Sequence, residues 1–187
     1  TVKDFAPVSL MSQRTSVLLV RPDFPARSFA EYLAYARANP GKINFGTTGV
    51  GGTAHLAGAW MHTASKTSVT FIPYTGTGPQ LPDLYSGRLD AAPASVSLAL
   101  PLIKSGKLRA LAVFENKRSR QLPEVPTVAE QGIPEYNSVL WLGIAAPAAT
   151  PPAIVDKLSQ GFARVARSPD VIGQLEAQGN EMVGSTP

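Results

Sequence analysis

The residues best suited to chemistry lie together at positions 46–56, Gly46-Thr-Thr-Gly-Val-Gly-Gly-Thr-Ala-His-Leu56. Small residues there leave backbone N–H groups uncovered, and the segment leads into an amphipathic pattern read as a helix. The first N–H groups of a helix have no partner within it, so such a turn can hold an anion. Thr47, Thr48 and Thr53 add hydroxyls, and Gly49, Gly51 and Gly52 let an anion approach the backbone. His55 falls in the first helical turn. Tyr74 and Ser95 follow later strands and can supply hydroxyls to the same edge.

Nucleotide chemistry fits this turn poorly. Gly49-x-Gly51-x-x-Ala54 matches a loose dinucleotide fingerprint, but the acidic residue expected about 20 positions on is missing; Asp83 is the first to follow. No Gly-Lys-Ser/Thr triplet marks a P-loop. A small anion, most simply a carboxylate, fits better, with a turn that only links strand to helix as the plainer reading.

Catalytic and metal sites find no support. His55 and His62 are the two histidines. Seven residues of helix separate them by roughly 10 Å, too far to share one metal ion. Gly-x-Ser-x-Gly is absent, and no cysteine provides a nucleophile, a disulfide or a thiolate ligand. Neither an enzyme nor a cofactor is expected.

The elements around the turn must position it. Ser16–Val20 reads as a buried strand, and Ser28 with Glu31 caps a helix over Phe29–Ala38. Strands at Ile43–Thr47, Val69–Pro73, Leu89–Ala92 and Leu108–Val113 alternate with helices at Thr53–Ala64, Pro79–Tyr85 and Val96–Lys104. That rhythm predicts a parallel-rich sheet flanked by helices. The turns at Gly49, Thr75–Gly78 and Pro93–Ser95 should gather at one sheet edge, where ligands bind. One short helix is expected near Val128–Gln131, and Leu56, Trp60 and Ala64 read as a core stripe. Val139–Ala146 reads as a second buried strand, with Trp141 in core packing. Thr150 caps a helix to about Arg167, and a last helix covers Pro169–Gln178, closed by Gly179.

With 44% hydrophobic residues the 187-residue chain can build a core. No apolar run approaches the ~18 residues that cross a bilayer. The net charge of +4 gathers partly at Lys104, Lys107, Arg109, Lys117, Arg118 and Arg120. Without interleaved aromatics these suit a solvated face rather than a nucleic-acid surface. No signal peptide is visible at Thr1, which fits either its removal or its absence from this segment.

Nearly the whole chain resembles one family in order. The matching text includes Asn39-Pro-Gly-Lys-Ile-Asn-Phe-Gly46 running into Thr47–Gly58, then Ile72-Pro-Tyr-Thr-Gly76 and Ala99–Val113. Leu122-Pro-Glu-Val-Pro-Thr-Val-Ala-Glu-Gln-Gly132, Gly143–Pro151 and Ala177-Gln-Gly179 complete it. These residues resemble the extracytoplasmic solute receptors of tripartite tricarboxylate transporters, the Bug-type receptors. The resemblance implies a type II-like periplasmic-binding-protein fold in the α/β class, with two lobes that close by a hinge on a small carboxylate. It implies delivery to membrane transporter subunits and a periplasmic location.

Family members carry about a hundred residues before the segment matching Lys3–Val8, and a terminal helix after the segment ending here. The chain is thus expected to hold one complete lobe and part of a second. Residues 1–20 would be partial first lobe and crossover strand, 21–140 the second lobe, and 141–187 the other crossover strand with first-lobe helices. A homodimer could cover the exposed half-core. Where the family often has Ser, Lys and Asp, this chain has Gly52, Thr75 and Ala94, which favours a plain carboxylic acid over an amino acid. The alternative is a small-molecule-sensing or enzymatic domain on the same two-lobed scaffold.

Overall fold

The computed structural model describes residues 1–176 and 180–187. Along the chain run β1 (Phe5–Arg14), β2 (Ser16–Val20), α1 (Phe29–Ala38), β3 (Asn44–Thr47), α2 (Thr53–Ala64) and β4 (Thr70–Pro73). They are followed by α3 (Thr77–Tyr85), β5 (Ala91–Ser95), α4 (Val96–Lys104) and β6 (Arg109–Val113). The last elements are β7 (Leu140–Pro147), α5 (Pro152–Ala166), α6 (Pro169–Glu176) and β8 (Asn180–Met182). Two compact units result: residues 15–138, and residues 1–14 with 139–187.

The larger unit holds a five-stranded sheet in the order β4-β3-β5-β2-β6. Alternation along the strands sends side chains to opposite faces. Leu18, Val20, Phe45 and Ala91 pack with Phe29, Tyr32 and Leu33 of α1 and Ala57 and Met61 of α2. On the other face Val17, Leu19, Ala92 and Ala94 meet Leu81 and Leu84 of α3 and Val96 and Ala99 of α4. Each large apolar side chain so buried contributes roughly 1.5–3 kcal/mol. At the α1 start, Ser28 Oγ accepts the Glu31 N–H at 3.2 Å, while Glu31 reaches back to the Arg27 N–H at 2.7 Å.

Several expectations need correction here. The sheet is mixed rather than parallel-rich: β3 runs parallel to β4 and β5, but β2 is antiparallel to both β5 and β6. An apolar run carries no record of strand direction. All of Ser16–Val20 pairs inside this unit, since it is the strand that joins β5 to β6. The Pro93–Ser95 turn is strand, and α4 follows it without a loop. The stripe expected from Leu56, Trp60 and Ala64 faces outward, with Leu56 60% and Trp60 39% exposed; Ala57, Gly58, Met61 and His62 are the buried set. Trp60 instead lies against the Tyr136 ring, centroids 4.6 Å apart.

The smaller unit is a three-stranded antiparallel sheet, β7-β1-β8. Val8, Ala146 and Val155 form its buried centre, with Ile144 and Phe162 packed alongside. β1 escapes the sequence reading because register shifts after Pro7 and Leu10 break its alternation. Trp141, expected in the core, is 64% exposed on β7, and Ile154, Leu158 and Val165 of α5 are also exposed. Helix α5 takes Pro151 as its N-cap, so Thr150 does not cap it; its N–H bonds instead to the Pro147 carbonyl at 2.9 Å. Residues 177–178 of the expected last helix, and its closing Gly179, lie outside the described residues.

Candidate functional site

Because β4, β3 and β5 are parallel neighbours, their C-terminal ends Pro73, Thr47 and Ser95 open on one sheet edge. Helices α2, α3 and α4 start there, with Gly52, Gly76 and Ser95 as N-caps, and none has a side-chain cap hydrogen bond. Helix α2 covers one face of the sheet, and α3 with α4 cover the other. Their positive ends thus flank the strand ends from both sides.

The loop after β3 depends on glycine. Gly49 and Gly51 have φ of +97° and +78°, a region that side chains with a Cβ rarely adopt. A Cβ on Gly52 would sit 3.0 Å from the Thr48 carbonyl oxygen. Two of the loop's amides are engaged internally. Gly52 N–H donates to the Gly49 carbonyl at 3.4 Å, and Gly51 N–H donates to His55 Nδ1 at 3.0 Å. The open donors lie one step further along. Among the described residues, no acceptor faces the N–H groups of Thr53, Ala54 or His55, the first turn of α2.

Thr47 stands at the base of this loop, 1% exposed, and its Oγ1 has no hydrogen-bond partner. A buried hydroxyl without a protein partner costs free energy, so Thr47 Oγ1 is an unused hydrogen-bonding group at the base of the loop. Thr48 is half-buried and Thr53 is exposed. The ring of His55 meets Phe71 edge-on, centroids 4.8 Å apart.

The other candidates are placed differently. Tyr74 accepts no role as a free donor: its hydroxyl donates to Asp83 Oδ2 at 2.8 Å. Burial and then the Asp83 carboxylate raise the Tyr74 pKa, while hydrogen bonds from Arg88 and Tyr74 lower that of Asp83. The Tyr74 N–H donates to the Thr47 carbonyl at 2.8 Å, which ties the residue after β4 to the end of β3. Ser95 is buried, with its Oγ 3.3 Å from that of Ser97.

Gln80 is a candidate that sequence reasoning missed. It is fully buried on α3, donates from Nε2 to the Pro93 carbonyl at 2.9 Å, and leaves Oε1 without a partner. Its Cγ lies 3.1 Å from where a Cβ on Gly46 would stand. The sequence signal was a polar residue beside the apolar positions Leu81 and Leu84.

Charge is absent from the edge itself. Residues 43–65 and 67–82 contain no Asp, Glu, Lys or Arg. Three of the basic residues noted above have local uses. Arg109 donates to the carbonyls of Pro22, Phe24 and Ala26, Arg118 pairs with Glu130 at 2.9 Å, and Lys107 lies over the Tyr85 ring. Among the described residues no cluster of His, Cys, Asp or Glu could hold a metal ion, and no helix is long and apolar enough to cross a membrane.

A sheet flanked by helices that start at its strand ends is the arrangement of one lobe of a periplasmic binding protein, and solved structures of that class match this chain. The chain belongs to the tripartite tricarboxylate transporter family of receptors, whose model matches residues 1–186. That is a family of solute receptors, not of enzymes. A UPF0065 protein from the tcbD–tcbE intergenic region of Pseudomonas sp. (strain P51) is 37% identical over 186 residues, covering 99% of this chain and 55% of the relative. Protein BugT of Bordetella pertussis is 33% identical over 186 residues, covering 100% and 57%. Two solved structures from Rhodopseudomonas palustris are similar. Rpa4515 with adipate is 33% identical with a TM-score of 0.84, covering 98% of this chain and 62% of that one. MatC with bound malate is 30% identical with a TM-score of 0.81, covering 94% and 60%. The chain spans about half to three-fifths of the length of these proteins.

Proposed function

We propose that this chain forms part of a periplasmic receptor that captures a small carboxylate and delivers it to a tripartite tricarboxylate-type membrane transporter. The observation that carries the reading is the uncapped first turn of α2 beside the buried, unpartnered Thr47 hydroxyl. One carboxylate oxygen would accept from the Thr53 and Ala54 amides, and the other from Thr47 Oγ1. Thr48, Gly49, Gly51 and Gly52 shape the loop, and His55 supports it. Neutral donors suit a carboxylate because the helix start supplies partial positive charge, about 0.3–1 kcal/mol for an anion there.

A plain di-acid or hydroxy-di-acid is favoured over an amino acid, since no carboxylate stands in these loops to meet an ammonium group. Adipate and malate, which accompany two similar structures, are the first compounds to test. The remaining donors would come from the part of a full-length receptor that this chain does not span. Titration of the ¹⁵N-labelled chain with malate or adipate tests the site, because amide shifts register weak binding. The expected result is shifts centred on Thr53, Ala54 and His55. Shifts confined to other parts of the surface, or none with either acid, overturn the reading.

A further inference from the structure

The hydrogen bond from Gly51 N–H to His55 Nδ1 has a consequence for the ring. A nitrogen that accepts carries no proton, so the neutral imidazole bears its hydrogen on Nε2. We propose that His55 is a positioning residue for the ligand loop. Its neutral ring latches residues 48–52 onto the first turn of α2, and protonation of Nδ1 sets N–H against N–H and releases them. The name "ligand loop" rests on the carboxylate reading, but the latch itself does not.

The geometry favours a latch over incidental contact. Gly51, at φ +78°, aims its N–H back at a side chain four residues ahead. That bond closes a turn whose other internal bond, Gly52 N–H to the Gly49 carbonyl, is long at 3.4 Å. Beyond Thr48 the loop has no polar side chain of its own to tie it to the helix: Gly49, Val50, Gly51 and Gly52 offer none. Phe71 of β4 fixes the plane of the ring edge-on.

Among the described residues no ion pair reaches His55. Loop 48–52 has no titratable group, and β4 presents Phe71. The same Phe71 ring is 6.4 Å from His62, on α2 itself. Packed around α2 are also Tyr32 of α1, which bonds to His62, and Tyr136, whose hydroxyl donates to the Ala57 carbonyl. β5 contributes no titratable residue, and Tyr74 after β4 is committed to Asp83.

The test is a titration of the ¹⁵N-labelled chain from about pH 8 to about pH 5, the range in which histidine changes charge. Long-range ring spectra should show a bare Nδ1 and a protonated Nε2 at the upper end. The Gly51 amide should then move with the same midpoint as the His55 ring. A protonated Nδ1 at neutral pH, or a Gly51 amide that stays flat while the ring titrates, overturns the proposal. His55→Leu should speed exchange of the Gly51 amide about 2- to 10-fold, the range of one net hydrogen bond. The titration of the unmodified chain decides the matter even if that variant fails to fold. Malate added to the unmodified chain separates the two readings: an absence of shifts overturns carboxylate capture alone, because the titration uses no ligand.

Discussion

The Tyr32 hydroxyl and His62 Nε2 meet at 3.2 Å in the interior of the larger unit, joining α1 to α2. On its other side His62 Nδ1 lies 2.7 Å from Thr67 Oγ1, and Ser65 continues the chain to the Met61 carbonyl. Tyr32 keeps its proton, since burial raises its pKa, and in either neutral tautomer one ring nitrogen donates and the other accepts, between Tyr32 and Thr67. Both ring nitrogens have partners in the neutral form.

This arrangement predicts acid sensitivity. Desolvation lowers the His62 pKa from 6.5 to about 4. The unfolded chain therefore binds the proton more readily than the folded one. Stability should be full above about pH 6.5, fall as the pH drops toward 4, and flatten below. The loss across that window is on the order of 3 kcal/mol. Urea melts at several pH values check it, and His62→Phe should remove most of the slope.

Replacing Thr47 by valine should separate stability from binding. The swap preserves shape and removes a buried hydroxyl that has no partner. Stability should hold or rise by about 1 kcal/mol, because an unmet polar group costs about 1–3 kcal/mol. Shifts caused by malate should weaken in the same variant. Denaturant melts and the amide titration read the two effects independently.

Carboxylate binding by neutral donors should respond little to salt. Affinity for malate is expected to change less than about 2-fold as the screening length shortens from ~10 Å to ~3 Å. A lysine or arginine partner would give a steep decline. Titrations at low and high sodium chloride distinguish these outcomes.

Gly58 should resist substitution. A Cβ there would stand 2.7 Å from Phe45 Cε1, so α2 would have to lift from β3. Gly58→Ala gains up to ~1 kcal/mol of helix propensity but incurs about 1–3 kcal/mol of overpacking. Net destabilisation in a denaturant melt is the expected result.

The sequence carried some of this architecture better than the rest. Helix α1 was legible to the residue because Ser28, Glu31 and Asn39 signal its ends chemically. The glycine turn was legible because only glycine tolerates the backbone at positions 49 and 51. The direction of β2 was hidden, since Ser-Val-Leu-Leu-Val reads the same in a parallel or an antiparallel pairing. The outward turn of Leu56 and Trp60 was hidden too, because α2 is apolar over more of its circumference than the sheet can cover. Which amides stay open was decided by the His55 ring, a side-chain contact that residue spacing does not report.

The position of β2 also bears on synthesis. It leaves the ribosome before its flanking partners Ala91–Ser95 and Arg109–Val113, which emerge only after α1, α2 and α3. Until then an apolar ribbon with two bare edges waits for neighbours that arrive late, the condition that invites wrong pairing and slows closure. A nascent chain built this way has reason to meet a holdase before its sheet is complete.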